Sequence, residues 1–563
     1  MSPVWSPYQG HTYHDYHELE QFCEQAAAAF PQWLRLEHYG RSRLGRPLLL
    51  LTLHVGPEPA ACPAFWVDAG THASEWAGVM AVMFSLSRWL EQLQAGEPTL
   101  TAFLSTHTAY LLPCLSPDGF QYMWEGGPYV RSSLRPAREW MRPGLEPQDV
   151  DGDGEVLWMR WKHPAGPWVQ DEHLPMLLRP RRLDDAPESA YFACSEGLFH
   201  QPELSGPVQA SAAFGLDLNR NFPVSWVPFS QFGMDGGAYS LSEPESRACL
   251  DALAARPNVC AVITHHTYTG ALLTPPYRPD SPLSGWDLDT LYRLGLELIG
   301  GTGYRIFRVY PEFQYEPGKN IPGSWADFLS AVWGIPAYTL ELWDPYGFAG
   351  VELKEPARAF FNPDMEGIRK VAEAFSKLPD TWKPWTAVEH PQLGPVEVGG
   401  LREHFTIRNP PPSKLREELE RAHTVVERMR QALPEVRLQA TLLPAEGLGP
   451  EVFQVTAECW NHGYLGTWGL PHAEKQKLTE TPSLTLELEG LSLVQGVPLQ
   501  HVPHLSGWGD APGSFRPHPF SPMLANVGPR LVKKWLVQGQ GSATVRWSHT
   551  RGGVHEVRLS TSV

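Results

Sequence analysis

Asp68-Ala69-Gly70-Thr71-His72-Ala73-Ser74-Glu75-Trp76-Ala77-Gly78 is the stretch whose reading decides the fold. The apolar run Pro63 to Val67 before it predicts a buried strand, and Glu75 to Leu90 predicts a helix. His72 and Glu75 then sit at a strand-to-helix junction, one helical turn apart, where an imidazole and a carboxylate can face one point. The end of a central strand is where α/β sheets place ligands. Zinc accepts such N and O ligands, and catalytic sites use three protein ligands plus water. A loop histidine beside a helix-initiating acid is the plainer account of the pair. A third ligand, a base and a carbonyl-polarising cation elsewhere decide between the two.

The chain has 563 residues, enough for two or three domains, and its 22 Trp residues and aliphatic content supply a large core. A formal net charge of −17 argues against nucleic acid or an anionic membrane as the main partner. No apolar run is long enough to span a bilayer. Met1 to Tyr8 lacks a basic region and an apolar core, so no signal peptide is visible and a cytoplasmic location is expected. The seven cysteines are dispersed and never spaced as CxxC, which fits buried thiols in a reducing compartment.

Outward from the opening stretch, His14 to Phe30 has a helical period, and Leu34 to Tyr39 and Pro47 to Val55 read as strands. A further strand, Thr108 to Cys114, runs into the turn Ser116-Pro117-Asp118-Gly119. Strand, helix, strand points to a doubly wound α/β sheet. Residues 126 to about 212 are long and irregular, an insertion that walls a cleft. Within it, Asp149, Asp151 and Asp153 start a DxDxDG pattern like the first half of an EF-hand calcium loop. Arg160 stands where such a loop needs its bidentate Glu. A Ca2+ site completed by other residues and a plain acidic Gly turn are both open.

Helices are expected at 243–255, 288–300, 324–332 and 362–376, with strands at Val259 to Thr264 and Ala337 to Leu342. Past Pro379 a Pro- and Gly-rich segment reads as a linker, and Ser413 to Leu433 as a charged helix. Short alternating runs after Arg437 predict a small all-β sandwich. The resulting plan is residues 1–380 as a catalytic domain, 381–436 as linker and helix, and 437–563 as an accessory β-sandwich.

Candidate chemistry lies in the first part. His266 ends a buried strand and offers a third ligand, with His265 as its rival. Strand alternation sends one of the two away from the site. Glu341 lies inside an apolar strand, where burial raises a carboxyl pKa and suits it to act as a base. Asn219-Arg220 pairs an amide with a guanidinium, the group suited to bidentate carboxylate recognition. Asp217, two residues before, can orient a metal-bound histidine.

Taken in order, these residues resemble the zinc metallocarboxypeptidase family of the carboxypeptidase A type. The shared features are HxxE, a PDG turn followed by an Arg, an NR pair, a His-hydroxyl-Tyr run and a late Glu. They extend over residues 68 to 344, and the size of the chain is similar to larger bacterial members with insertions and a C-terminal domain. The resemblance implies a mixed, mostly parallel central sheet flanked by helices. It implies one Zn2+ held by His72, Glu75 and His266, the last preferred because His266-Thr267-Tyr268 matches the family run. Glu341 is then the general base on zinc-bound water, and Arg131, twelve residues after Gly119, polarises the scissile carbonyl, with Arg135 as alternative. Asn219 and Arg220 clamp the terminal carboxylate of a peptide substrate.

Three departures stand out. Digestive members carry an Arg where this chain has Ser74, which weakens an accessory carboxylate contact. The substrate-capping Tyr counts to Lys319, with Tyr315 as the nearby substitute. The insertion has no counterpart in the compact enzymes. The pocket floor counts to Trp325-Ala326, favouring apolar or aromatic C-terminal side chains, with Asp327 adjacent. Two other functions fit the same residues: a cell-wall peptide amidase or D-amino acid carboxypeptidase, and a non-catalytic peptide-binding protein.

Overall fold

Three strands buried along their whole length or nearly so, Ala64–Ala69, Val259–Thr267 and Ala337–Leu342, run side by side and parallel at the centre of the protein. The computed structural model describes residues 5–127, 129–134, 144–200, 216–228, 230–231, 234–316, 318–359, 364–510 and 530–561. Burial on both faces is why these segments read as nearly unbroken apolar runs. They belong to an eight-stranded mixed sheet. On one side the order continues through Thr108–Leu112, Pro47–Leu53 and Leu34–Arg41; on the other, through Ala271–Thr274 and Arg305–Arg308. From Ala64–Ala69 the chain passes to Thr108–Leu112 on one flank, while Val259–Thr267 joins on the other. That reversal of direction opens a crevice at the carboxyl ends of the strands.

One sheet face is covered by the helices Trp76–Gln94, Gly285–Ile299 and Pro412–Gln431. The other is covered by Pro244–Ala254 and Trp325–Trp333. The expected PDG turn is instead the first turn of the helix Pro117–Trp124, with Pro at its opening position. Asp118 accepts hydrogen bonds from Ser42 Oγ (2.8 Å), Leu44 N (2.8 Å) and Arg46 Nη1 (3.0 Å), tying this helix to the outer hairpin. A Cβ on Gly119 would lie 1.9 Å from Ser132 O and 2.8 Å from Ala73 Cβ. Only glycine lets the helix pass between the two loops that build the site.

The segment read as a linker is instead a hairpin, Trp382–His390 with Gly394–Leu401. It completes a six-stranded sheet with four strands of the insertion between Trp158 and Ser195. Pro384 falls where the pairing register shifts, between Lys383 and Thr386, so a residue that signalled a linker marks an irregularity in a strand. The following helix, Pro412–Gln431, is part of the main core through Leu415, Leu419, Val425 and Val426.

The C-terminal unit is built mainly from β-strands, as expected, with one short helix at Pro471–Lys475, and its described strands belong to one antiparallel sheet. The strand Arg530–His549 pairs along one edge with Ser483–Gln495. Along the other it pairs first with Val452–Asn461 and then with Gly553–Ser560. The sheet thereby wraps a core containing Trp535, Trp547, Val455 and Leu486. Among the described residues no helix is long and apolar enough to cross a membrane.

Candidate active site

Gly70 makes the turn out of the first central strand at φ +66°, which an L side chain rarely adopts. The chain then delivers His72 and Glu75 above the sheet, both buried. The helix Trp76–Gln94 starts without a side-chain cap of its own. Its exposed N–H groups need a partner, and Asn409 supplies one: its Oδ1 accepts from Ala77 N (2.9 Å) while its amide donates to Ser74 O (2.8 Å).

His266 and Glu341 stand opposite each other in parallel register, so their side chains share one face at the sheet end. His265 points the other way, against the helix, where a Cβ on Gly78 would lie 3.2 Å from His265 Cβ. Burial lowers the pKa of His265 to about 3, and among the described residues neither ring nitrogen has a hydrogen-bond partner. His265 is therefore a packing residue. We expect His265→Leu to keep the metal content and activity of the unsubstituted protein, as read by elemental analysis and peptide turnover.

His72 Nδ1 lies 2.7 Å from Glu75 Oε1, and His266 Nδ1 lies 2.8 Å from Glu75 Oε2 and 3.0 Å from His72 Nδ1. Two imidazole nitrogens and a carboxylate thus converge on one another as a group able to hold a metal ion. His72 Nε2 lies 3.1 Å from Asp217 Oδ1, which assigns the proton to Nε2 and leaves the Nδ1 lone pair for a ligand. The donor set, two His and one Glu, is one that catalytic zinc takes. Burial opposes the charge of Glu75, but His72 and His266 hold its carboxyl well below the usual range. Burial lowers the pKa of His266, and Glu75 offsets this only in part.

Arg131 is fixed between two loops: its carbonyl accepts from Ala73 N (2.8 Å), and Ser133 bridges to Leu216. Its Nε lies 3.4 Å from Asp217 Oδ2 and its Nη1 3.4 Å from Glu75 Oε1. Burial alone would lower its pKa; Asp217, with Tyr129 and Glu75, reverses this and keeps the guanidinium charged. Arg135 lies outside the described residues. Burial likewise opposes Asp217, whose carboxyl is nevertheless held far down by Arg220, Arg131 and His72. Asp217 also caps the short helical turn Leu218–Arg220 by accepting from Asn219 N (2.9 Å). That turn presents Asn219, whose Oδ1 accepts from Trp325 N (2.9 Å), and Arg220.

Glu341 is pushed well above the usual carboxyl range by burial first and by the charge of Glu75 second, with Arg131 and Arg220 opposing. Tyr315 lies within the field of Arg220, Arg131, Glu341 and Asp217. Lys319, to which the capping Tyr counts, is exposed, whereas Tyr315 is half-buried with its ring against Phe313 (centroids 6.3 Å). The expected floor residue Trp325 packs against Phe222 (ring centroids 4.6 Å) and donates its indole N–H to Asp68 (3.0 Å). Asp327 is fully buried, neither of its oxygens is hydrogen-bonded among the described residues, and Arg278 Nε stands 3.9 Å away.

Burial raises the Asp327 pKa to about 7, partly offset by Arg278. A folded pKa above the unfolded value of about 3.9 means that Asp327 costs stability as pH rises through that window. Asp327→Asn should accordingly raise the thermal midpoint more at pH 8 than at pH 5.

Asp149, Asp151 and Asp153 do converge, but a protein cation enters among them. Lys383 Nζ lies 3.4 Å from Asp151 Oδ2 and is also paired with Asp153. Arg160, at the place of the missing Glu, pairs with Glu397 (2.9 Å) and stacks over Trp385. The loop is an acidic Gly turn whose charge Lys383 of the hairpin strand offsets in part, and the calcium expectation is not supported.

Sequence reasoning missed the residues after 402 that brace the site. Besides Asn409, Glu418 accepts from Trp343 N (2.9 Å), two residues beyond Glu341, and Thr406 O accepts from the Trp343 indole (2.6 Å). Trp343 has φ +60°, a strained conformation for a bulky residue, and these bonds hold it there. An Asn just before a Pro run and a Glu on a charged helix carry no local signal of such a role.

With this geometry in hand, comparison with known proteins is direct. The zinc carboxypeptidase family model matches residues 19–374, and the chain belongs to that family. Residues 437–560 match a domain of unknown function. Carboxypeptidase B of Astacus astacus is 31% identical over 111 residues, which cover 20% of this chain and 35% of that protein. Carboxypeptidase A1 of Bos taurus is 31% identical over 111 residues, covering 20% and 26%. The matched stretch is thus about a third or less of these relatives' length. Among solved structures, thrombin-activatable fibrinolysis inhibitor aligns with TM-score 0.44 at 17% identity, over 76% of this chain and 79% of that one.

Proposed function

We propose that this chain is a zinc-dependent exopeptidase that removes the C-terminal residue of peptides. The observation that carries the reading is the convergence of His72, Glu75 and His266 beside Glu341 at the ends of adjacent parallel strands. Zinc bound there supplies the Lewis acidity that activates water and polarises a carbonyl.

The chain's own groups do the rest. Glu341, its pKa raised by burial, takes the proton of the attacking water and later gives it to the leaving amine. Arg131, kept charged by Asp217, donates to the carbonyl oxygen as negative charge develops on it. Asn219 and Arg220 bind the terminal carboxylate, and Tyr315 closes over it. The apolar surroundings of Trp325 and Ala326 favour apolar or aromatic C-terminal side chains. Clamping the carboxylate is what makes the cut terminal rather than internal.

The test uses peptides matched in sequence, with free or amidated C-termini, followed by mass spectrometry. The reading predicts loss of single C-terminal residues from the free peptides and little from the amidated ones. Equal cleavage of both, or internal fragments, overturns it. Release from muropeptides with none from L-peptides would move the substrate to the cell wall, and binding without release would make the chain a peptide-binding protein.

A further inference from the structure

Arg408 follows the hydrophobic packing of His404 and Phe405 on Trp76, the residue after Glu75. It directly precedes Asn409, whose amide is bonded to Ser74 O and Ala77 N on the metal loop. The guanidinium carbon lies over the ring of Tyr129, 4.1 Å from its centroid, and Tyr129 is exposed. Tyr129 is two residues before Arg131 on the same loop. Tyr268, two residues beyond His266, also feels the charge of Arg408, and Arg408 feels that of Arg131.

These relations give the cleft a direction. Arg408 stands beside both parts of the site: it covers Tyr129, two residues before Arg131, and the next residue, Asn409, is bonded to Ser74 between the metal-loop residues His72 and Glu75. A peptide whose terminal carboxylate is at Asn219 and Arg220 and whose scissile carbonyl is at Arg131 therefore continues toward Arg408 and Tyr129. The donors of Arg408 are only partly used. Nη2 lies 2.9 Å from Glu403 Oε1, on a half-exposed carboxylate. Nε is buried and has no hydrogen-bond partner among the described residues. Guanidinium stacking on an aromatic face leaves its edge free for bidentate contact with a carboxylate. Ser74 places no cation on the metal loop itself, so among the described residues on this flank Arg408 is the cation that follows Arg131.

We propose that Arg408, stacked on Tyr129, forms a subsite for an acidic side chain on one of the two substrate residues preceding the scissile bond. The inference rests on the exopeptidase reading for the direction of the substrate. The chain as a whole, at a formal net charge of −17, repels acidic peptides at long range. A preference for acid upstream must then arise from a local cation.

The test measures both binding and turnover with zinc-loaded protein. Peptides carry Glu, Gln or Lys at each of the two upstream positions in turn, with the C-terminal residue held constant. Binding is measured in the Glu341→Gln protein, and turnover in the protein with Glu341 intact. We expect Glu to be favoured over Gln by about tenfold at one of the positions, the scale of a charge-assisted hydrogen bond. Arg408→Gln should bring the two within about twofold, and Arg408→Lys should restore part of the preference. Glu403→Gln, which frees Nη2, should increase it, and provides the test if Arg408→Gln does not fold. Equal binding of Glu and Gln peptides, or a preference that survives Arg408→Gln, overturns the proposal. A Glu preference in binding with no residue released from any peptide would instead overturn the exopeptidase reading and leave the subsite standing.

Discussion

Glu341→Gln should lower kcat by about a thousandfold, within the range that loss of a general base produces, while KM and bound zinc change little. The substitution keeps size and shape in a strand where Glu341 is level with His266 and Ala271. It removes only the group that can accept a proton. The environment explains why this carboxyl is poised to exchange a proton. Burial and the nearby charge of Glu75 both favour its protonated form, and Arg131 and Arg220 restrain the shift. Glu341 is not among the convergent group of His72, Glu75 and His266, so the metal should be retained. Steady-state kinetics on a C-terminally free peptide, paired with elemental analysis, checks both parts. Full activity in the variant would remove Glu341 from the chemistry, and loss of zinc would make it a ligand.

Arg131→Ala should lower kcat/KM by several hundredfold, about 3–4 kcal/mol of transition-state stabilisation, with most of the loss in kcat. The guanidinium is held by Asp217 and Glu75 on two of its nitrogens at 3.4 Å, so its position is set before substrate arrives. Preorganised charge of this kind acts on the developing oxyanion more than on the ground-state carbonyl. Arg131→Lys should rescue little, because one ammonium cannot satisfy Asp217 and Glu75 and still reach the substrate. The variant also leaves Asp217 and Glu75 with one cation fewer, so the thermal midpoint must be measured alongside. A loss confined to KM would assign Arg131 to binding instead.

The residues that were legible in the sequence are those whose chemistry is tied to local pattern. His72 and Glu75 follow an apolar strand and open a helix, and His266 and Glu341 end apolar strands, so burial and alternation could be read without knowing the partners. Parallel pairing of those strands then brings together positions that are distant along the chain. The choice of His266 over His265 needed a face, which the close approach of Gly78 supplies. Illegible were features that depend on long-range contact between ordinary residue types. Asn409 bracing Ser74 and Ala77, Glu418 holding Trp343, and Lys383 entering the acidic loop have no spacing signature. The hairpin at 382–401 was hidden by its own Pro and Gly residues, which mark irregular pairing and a tight reversal rather than a flexible connection.

This bracing bears on how the protein is divided. The family model ends at residue 374, yet the groups that hold the metal loop and the end of the Glu341 strand, the Thr406 carbonyl and the Asn409 and Glu418 side chains, lie beyond it. The helix Pro412–Gln431 lies in the same core as Trp76–Gln94. A truncation near residue 380 would remove both and expose that core.

The most direct test of the central claim follows a peptide by mass spectrometry with the protein as purified, stripped by a chelator, and reloaded with zinc. The account predicts release of single C-terminal residues, loss of that release on stripping, and its return with zinc. Release that persists after the metal is gone would contradict it.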